Sequence, residues 1–344
     1  MRAATRTLAA LFVALAVAAL PAAAVTPTAP ATPTAPAPPT APAPPAPPRA
    51  EPAPTACVSG PAVLANAAGS VAQRIYASEV SSSEVSSDKH QIESYAPLVS
   101  AVEKGESAAL KTAVHTLVYS HTHIVRLRVS RGSTLLFDEG GPYILAPVQG
   151  TLRSHGKEVG HFVFSVQDDL GYVKLETRFI GAPLVLRTES GQVPIEGLLT
   201  PGPASIPDRG PVSYKGASYE AYSFNALAYP SGRLRISLLL PLAGSLARKT
   251  CDRIKAEEMS TIAQRISRRF TLSQSSFAPF VHLTQTLTHT RVYVRKGSQK
   301  LSGRGPAKLP VSGPLSYHGA KYEVASFSAP TSAGQARVYV LVAL

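Results

Sequence analysis

The chain has 344 residues, a formal charge of +13, 31 prolines, two cysteines and no tryptophan, with 44% hydrophobic residues. That length and apolar content suffice for one or two packed cores. Beyond its N-terminus no stretch approaches eighteen consecutive apolar residues, which excludes a multi-span helical membrane protein.

The first 24 residues have the layout of an export signal. Arg2 and Arg6 precede an apolar run from Leu8 to Leu20, and Ala22-Ala23-Ala24 offers a small-residue cleavage site. The expectation is a secreted or extracytoplasmic protein of the cell envelope, with an uncleaved signal anchor as the alternative. Residues 25–56 are almost wholly Pro, Ala and Thr. Proline fixes φ and removes backbone donors, so this tract is read as an extended polyproline II linker. In an exported chain the two cysteines favour a Cys57–Cys251 disulfide closing a loop of nearly two hundred residues. Two free thiols or an intermolecular pair are the alternatives.

The folded part begins with a helix: Pro61 suits a first helical position, and Leu64, Val71 and Ile75 share one stripe. Ser81–Ser87 reads as a polar loop. Helices follow around 90–103 and from Ser107, a candidate N-cap, with Leu110, Val114 and Leu117 as the apolar stripe. The pattern then changes to period two. Ile124–Val129 alternates around Arg126 and Arg128, and Arg131-Gly132-Ser133 turns it into Thr134–Phe137. Strands are expected at 143–154 and 158–166, a short helix capped by Asp168, and strands at Pro183–Arg187, Tyr219–Ala226 and Leu234–Leu240. After Cys251 the pattern gives helices at 252–269 and 275–287, then strands near 290–296, 311–317, 321–328 and 336–343. The fold class is α+β: antiparallel sheet with N-terminal helices on one face.

The chain repeats itself. Residues 202–224 and 305–327 align without a gap, matching Pro203/Pro306, Gly210/Gly313, Tyr214/Tyr317, Gly216/Gly319, Glu220/Glu323 and Phe224/Phe327. Upstream, Ala72-Gln73-Arg74-Ile75 recurs as Ala263-Gln264-Arg265-Ile266, each preceded by a cysteine. A basic apolar strand also recurs at 123–133 and 289–298. Read this way, the second copy lacks the middle of the first, and the division is 57–244 for a complete module and 245–344 for a reduced one. The charge is divided as unevenly: 57–250 carries 18 basic and 16 acidic residues, 251–344 carries 13 and 4.

The order of elements over 107–241 resembles the PAS-like Cache domains, extracytoplasmic sensor modules. The stretch that carries the resemblance is His161-Phe162-Val163-Phe164-Ser165-Val166-Gln167-Asp168-Asp169-Leu170-Gly171-Tyr172-Val173-Lys174-Leu175, similar to the Cache segment where a strand ends in an acidic, glycine-containing turn beside the ligand pocket. The larger first module and smaller second one resemble a double Cache arrangement. The resemblance implies a small-molecule ligand, such as a carboxylate or an amino acid. The chain departs from typical members in having no transmembrane segment after the module and no kinase or signalling domain, and the expectation is a binding protein with no output domain in the chain.

The candidate pocket falls in the part that the second copy lacks. Asp168 and Asp169 could accept hydrogen bonds from a ligand amine, and Tyr143 and Tyr172 could supply a flat apolar wall with a polar tip. Arg126, Arg128 or Arg153 could pair with a ligand carboxylate, which the guanidinium fork suits. For each there is a plainer reading, as a helix cap or an exposed strand position. His121 and His123 lie two apart without a completing ligand, so no metal and no cofactor is expected. No Gly-x-Ser-x-Gly elbow, His-Glu-x-x-His or phosphate loop occurs, and the expectation is a protein that is not an enzyme. The alternative function is a non-enzymatic interaction protein whose basic C-terminal unit binds an anionic envelope polymer or a membrane partner. Nucleic acid is not an expected partner of an exported chain.

Overall fold

In the computed structural model the described residues are 57–344, apart from 122, 142–143, 190, 193–201, 231, 243–245, 247, 303–304 and 333. Residues 1–56, read above as an export signal and a linker, and Tyr143 lie outside them.

Four helices come first: α1 (Gly60–Ser81), α2 (Ser83–Ser94), α3 (Ala96–Lys104) and α4 (Ser107–Thr116). The serine-rich stretch expected to be a loop is mostly helical. Ser82 ends α1 and at the same time caps α2, its side chain accepting from Val85 N–H at 3.2 Å. A serine run therefore changes helix direction here without a loop, because Ser at an N-cap satisfies an otherwise orphaned donor.

Strands β1 (Arg126–Arg131), β2 (Thr134–Gly140), β4 (Val148–Ser154) and β5 (Lys157–Ser165) form a first sheet, ordered β2-β1-β5-β4. The expected 143–154 strand is broken, since β3 (Ile144–Leu145) leaves this sheet for the next. There it joins β6 (Leu184–Thr188), β7 (Gly191–Gln192), β8 (Arg209–Tyr214), β9 (Ala217–Tyr229) and β10 (Gly232–Pro241). Helix α5 (Asp169–Phe179) connects the two sheets. The third sheet follows α6 (Cys251–Ser267) and α7 (Phe277–Thr288). It contains β11 (Arg291–Lys296), β12 (Gln299–Ser302), β13 (Gly313–Tyr317), β14 (Ala320–Thr331) and β15 (Gly334–Ala343). The architecture is α+β with antiparallel sheets, and the 57–244 segment holds two sheets where sequence suggested one.

Strand order revises the internal repeat. The second sheet runs β7-β6-β10-β9, with β8 on β9; the third runs β12-β11-β15-β14-β13. These are the same order, and the first sheet, β2-β1-β5-β4, shares it. The gap-free alignment of 202–224 with 305–327 sets β8 and β9 against β13 and β14, and within that alignment β11 corresponds to β6 and α7 to α5. What the second copy lacks is one block, α2–α4 with β1–β5, lying between α1 and α5. The similarity of β1 to β11 is that of any alternating hairpin strand ending in a glycine turn. β1 also holds the same place in its sheet, between β2 and β5, as β11 does between β12 and β15.

Helices α1, α5, α6 and α7 pack between the second and third sheets around one core that includes Val71, Ile75, Phe179, Ile262, Ile266 and Phe280. Gly69 permits the close approach of α1 to β9, because a Cβ there would fall 2.0 Å from the Tyr222 ring. The repeated arginines interlock the copies. Arg74 of α1 donates from Nε to the Leu287 carbonyl at the end of α7, and Arg265 of α6 donates to Ile180 at the end of α5. Each arginine thus satisfies an orphaned helix-end carbonyl in the other copy and sits at the negative end of its dipole. Cys57 and Cys251 form a disulfide that joins the start of α1 to the start of α6.

Candidate ligand groove on the first sheet

Alternation on the first sheet separates two faces. Leu127, Val129, Leu152, Phe162 and Phe164 point to the side covered by α2–α4 and are buried there. The intervening residues face away. Pairing places Arg128 opposite Asp138 and Val163, with Gln149 next across; Ser130, His161 and Thr151 form the adjacent row.

A groove of about 700 Å³ beside β4 takes in this face and reaches α2: Ser130, Gln149, Thr151, Arg153, His161 and Val163 line it with Gly150 and Phe162 of the same strands, Lys89 and Glu93 of α2 and Tyr229 of β9. Its charged groups are two cations and one carboxylate, plus an imidazole. Lys89 and Glu93 lie 3.9 Å apart, and His161 Nε2 is 3.0 Å from Glu158 Oε1. Arg153 is exposed, and its one hydrogen-bond contact among the described residues is a long 3.4 Å approach to the Gly156 carbonyl. Its fork is directed into solvent without a carboxylate partner, the arrangement that suits an incoming anion.

The other candidate residues divide. Arg126 and Arg128 share the groove's sheet face, but both are engaged by Asp138. Arg126 makes a bidentate pair, Nε to Oδ1 at 2.8 Å and Nη2 to Oδ2 at 2.7 Å, and also donates to the Gly141 carbonyl. The Asp138 hydrogen bonds hold the Arg126 guanidinium above its ordinary pKa. Arg128 Nε lies 3.1 Å from Asp138 Oδ2 without hydrogen-bond alignment, and its guanidinium sits 4.6 Å above the Tyr229 ring. These two arginines hold β1, β2 and β9 together. Asp168 caps α5 by accepting from Gly171 N–H. Asp169 is buried against the first turn of α5 and accepts from Leu170 N–H at 3.0 Å; burial raises its pKa. Tyr172 is fully buried in the helical layer, edge-on to Tyr76 with centroids 5.3 Å apart, and away from the groove. The structure therefore gathers Arg126, Arg128 and Arg153 on one face and sends Asp168, Asp169 and Tyr172 to the helix beyond it.

Sequence reasoning missed Gln149, Thr151 and His161, although each lies at an outward position of a strand whose alternation is visible. Lys89, Glu93 and Tyr229 come from distant chain and had no local signal. Among the described residues no group of three or more His, Cys, Asp or Glu side chains could hold a metal ion. No helix among them is long and apolar enough to cross a membrane.

The outward faces of the other two sheets are closed by the chain itself. Ile206 packs with Val185, Val212, Ala221 and Leu239 on the second sheet; Leu309 packs with Tyr293, Tyr322, Val324 and Leu341 on the third. In both, the Gly-Pro-Ala segment is held by an arginine that donates to the proline carbonyl, Arg187 to Pro203 and Arg295 to Pro306.

No family model matches the chain and no curated protein matches it. Among solved structures it is similar to the periplasmic domain of LuxQ from Vibrio cholerae, at 14% identity and a TM-score of 0.29, over 54% of this chain and 98% of that one. It is also similar to the ligand-binding domain of the amino-acid chemoreceptor PctC from Pseudomonas aeruginosa, solved in complex with GABA. That likeness has 13% identity and a TM-score of 0.25, over 49% of this chain and 99% of the other. A methyl-accepting chemotaxis protein X matches at 10% identity and a TM-score of 0.14, over 82% and 98%.

Proposed function

We propose that the chain is an extracytoplasmic, non-enzymatic, small-molecule-binding protein of the PAS-like Cache type, with its ligand seated in the first-sheet groove. The observation that carries this reading is the contrast among the three sheets. Two have their outward faces filled by the repeated Gly-Pro-Ala segment, and the first leaves a groove of about 700 Å³ whose wall carries Arg153, an arginine with no carboxylate partner among the described residues. The ligand class that fits is an amino acid or small carboxylate: an anion against Arg153 and Lys89, a donor group against Glu93, Gln149 or Thr151, and an apolar portion on Tyr229 and Val163. The proposed organisation is a signal segment at 1–24, a spacer at 25–56, and two copies of one helix-and-sheet module, the first bearing the inserted groove sheet.

The alternative, a C-terminal surface that grips anionic polymer or lipid, draws less support from the side chains. Of the 13 basic residues after position 250, five arginines are committed within the protein. Arg253 pairs with Glu257 and the Val324 carbonyl, Arg265 with Ile180 and Arg295 with Pro306 and Ala307, while Arg269 and Arg291 lie over Phe179 and Tyr322.

The test is thermal shift and calorimetry of the full chain against a panel of amino acids and short carboxylates. A ligand at a hundred times its Kd adds about 2.7 kcal/mol to folding stability. The expected result is one chemical class that raises Tm, with the response lost in Arg153→Ala. A flat response across the panel overturns the proposal.

A further inference from the structure

The two copies hold their Gly-Pro-Ala segments alike except at one place. Directly across the ladder from the arginine that anchors each segment lies a second arginine: Arg235 opposite Arg187, and Arg337 opposite Arg295. In the first copy this second arginine is satisfied within the chain. Arg235 Nη1 is 2.7 Å from Asp208 Oδ1, and Nη2 donates to the Ile206 carbonyl at 3.1 Å. Gap-free alignment from Gly202/Gly305 puts Val311 where Asp208 stands, and Val311 is 56% exposed. Among the described residues the Arg337 side chain makes no ion pair or hydrogen bond. It is only half-buried, on the outward face of the third sheet, beside the buried Arg295. The same segment also exchanges Ser205 for Lys308, adding positive charge where the copy has lost its carboxylate.

A guanidinium fork recognises carboxylates, and the first copy displays the pairing at this position with its own side chain. We propose that the outward face of the third sheet carries a carboxylate-binding site centred on Arg337, in which a carboxylate from outside the chain takes the place that Asp208 fills in the first copy. The surplus of 13 basic over 4 acidic residues in 251–344 draws such a group toward it. Exposed Val311, at the position aligned with Asp208, favours a carboxylate with an apolar neighbour. Two sources share that chemistry, a free organic acid and an acidic side chain of a partner peptide. The site is separate from the first-sheet groove and does not depend on it.

The test titrates the full chain carrying Arg153→Ala, which removes the anion contact of the first-sheet groove, at low ionic strength with three probes: butyrate, a Glu-Leu-rich hexapeptide, and inorganic phosphate as a control anion. Binding of butyrate assigns the site to free acids, and binding of the hexapeptide alone assigns it to a peptide partner; either supports the proposal. Val311→Asp supplies the missing carboxylate in cis, and is expected to raise Tm while weakening binding at least tenfold. Arg337→Gln, which leaves Val311 in place, is expected to abolish binding. Asp208→Val is expected to open a second equivalent site on the second sheet, raising the stoichiometry from one to two. Binding that survives both Val311→Asp and Arg337→Gln overturns the proposal, as does binding of phosphate without either carboxylate probe.

Discussion

Glu176 gives the structure its most quantitative test. It lies on α5 with none of its surface exposed, and neither carboxylate oxygen has a hydrogen-bond partner. Burial pushes its pKa up to about 8; the Tyr172 hydroxyl, close but not aligned for a hydrogen bond, offsets part of this, and Glu79 on α1 adds to it. The folded protein therefore carries Glu176 as the neutral acid at pH 7, whereas the unfolded chain ionises it near the ordinary value of 4.5. Between those limits the folded state binds the extra proton, so stability is fully present below pH 4.5 and falls as pH rises toward 8. The loss is about 1.4 kcal/mol per pH unit, or about 3 kcal/mol between pH 5 and pH 7. Glu176→Gln keeps the shape of the neutral acid and cannot ionise. Urea unfolding of both proteins at pH 5, 6, 7 and 8 isolates the effect, because Glu79, raised to about 7, and Asp88, raised to about 6, contribute to both. The expected outcome is a variant that gains on the wild type by about 3 kcal/mol from pH 5 to pH 7. Parallel stability curves would show that Glu176 is solvated or paired, and the reasoning would fail.

Three further outcomes follow from the same contacts. Reducing Cys57–Cys251, whose partners are 194 residues apart, removes up to about 5 kcal/mol by the loop-entropy argument and should lower Tm by about 10 °C in a scan with and without reductant. Replacing Arg74 or Arg265 with Ala strips a charged donor from a helix end in the opposite copy. Each should cost about 2 kcal/mol in urea unfolding, and the two costs should add, because the arginines serve different helices. Asp138→Ala leaves Arg126 and Arg128 half-buried without their shared carboxylate; a loss of about 3 kcal/mol is expected in the same assay, against little change for exposed Arg153→Ala.

Sequence legibility followed the range of the physics. Alternation around Arg126 and Arg128 and the apolar stripe through Leu64, Val71 and Ile75 are local, and both elements form where the pattern puts them. Ser81–Ser87 misled because serine composition signals both loops and helix caps, and here Ser82 is a cap. The site was harder. Which arginine is unpartnered depends on Asp138, whose contact with Arg126 and Arg128 exists only once β1 and β2 pair. Tyr172 lies three residues past a candidate pocket turn, yet α5 directs it into the core. The repeat was plain in sequence while its registration was not. Short alternating strands resemble one another, and β1 and β6 hold the same place in their sheets as β11; the arginines Arg187 and Arg295, each holding a Gly-Pro-Ala segment, pair β6 with β11.

That registration explains why a duplicated unit needs both copies. Each copy has a long helix, a shorter helix and a sheet, and in each the shorter helix ends on a carbonyl that accepts a hydrogen bond from the repeated arginine of the other copy. The apolar helix faces of both copies merge into one core, and the disulfide fixes the two long helices at their starts. The pair behaves as an interlocked frame. The inserted sheet lies outside this reciprocity. Its helices α2–α4 form a second core of their own, with Ile92, Leu98, Val114 and Leu117 against Leu127 and Phe162. A block with its own core can change its outward face without disturbing the frame's packing, and the first sheet is where the groove lies.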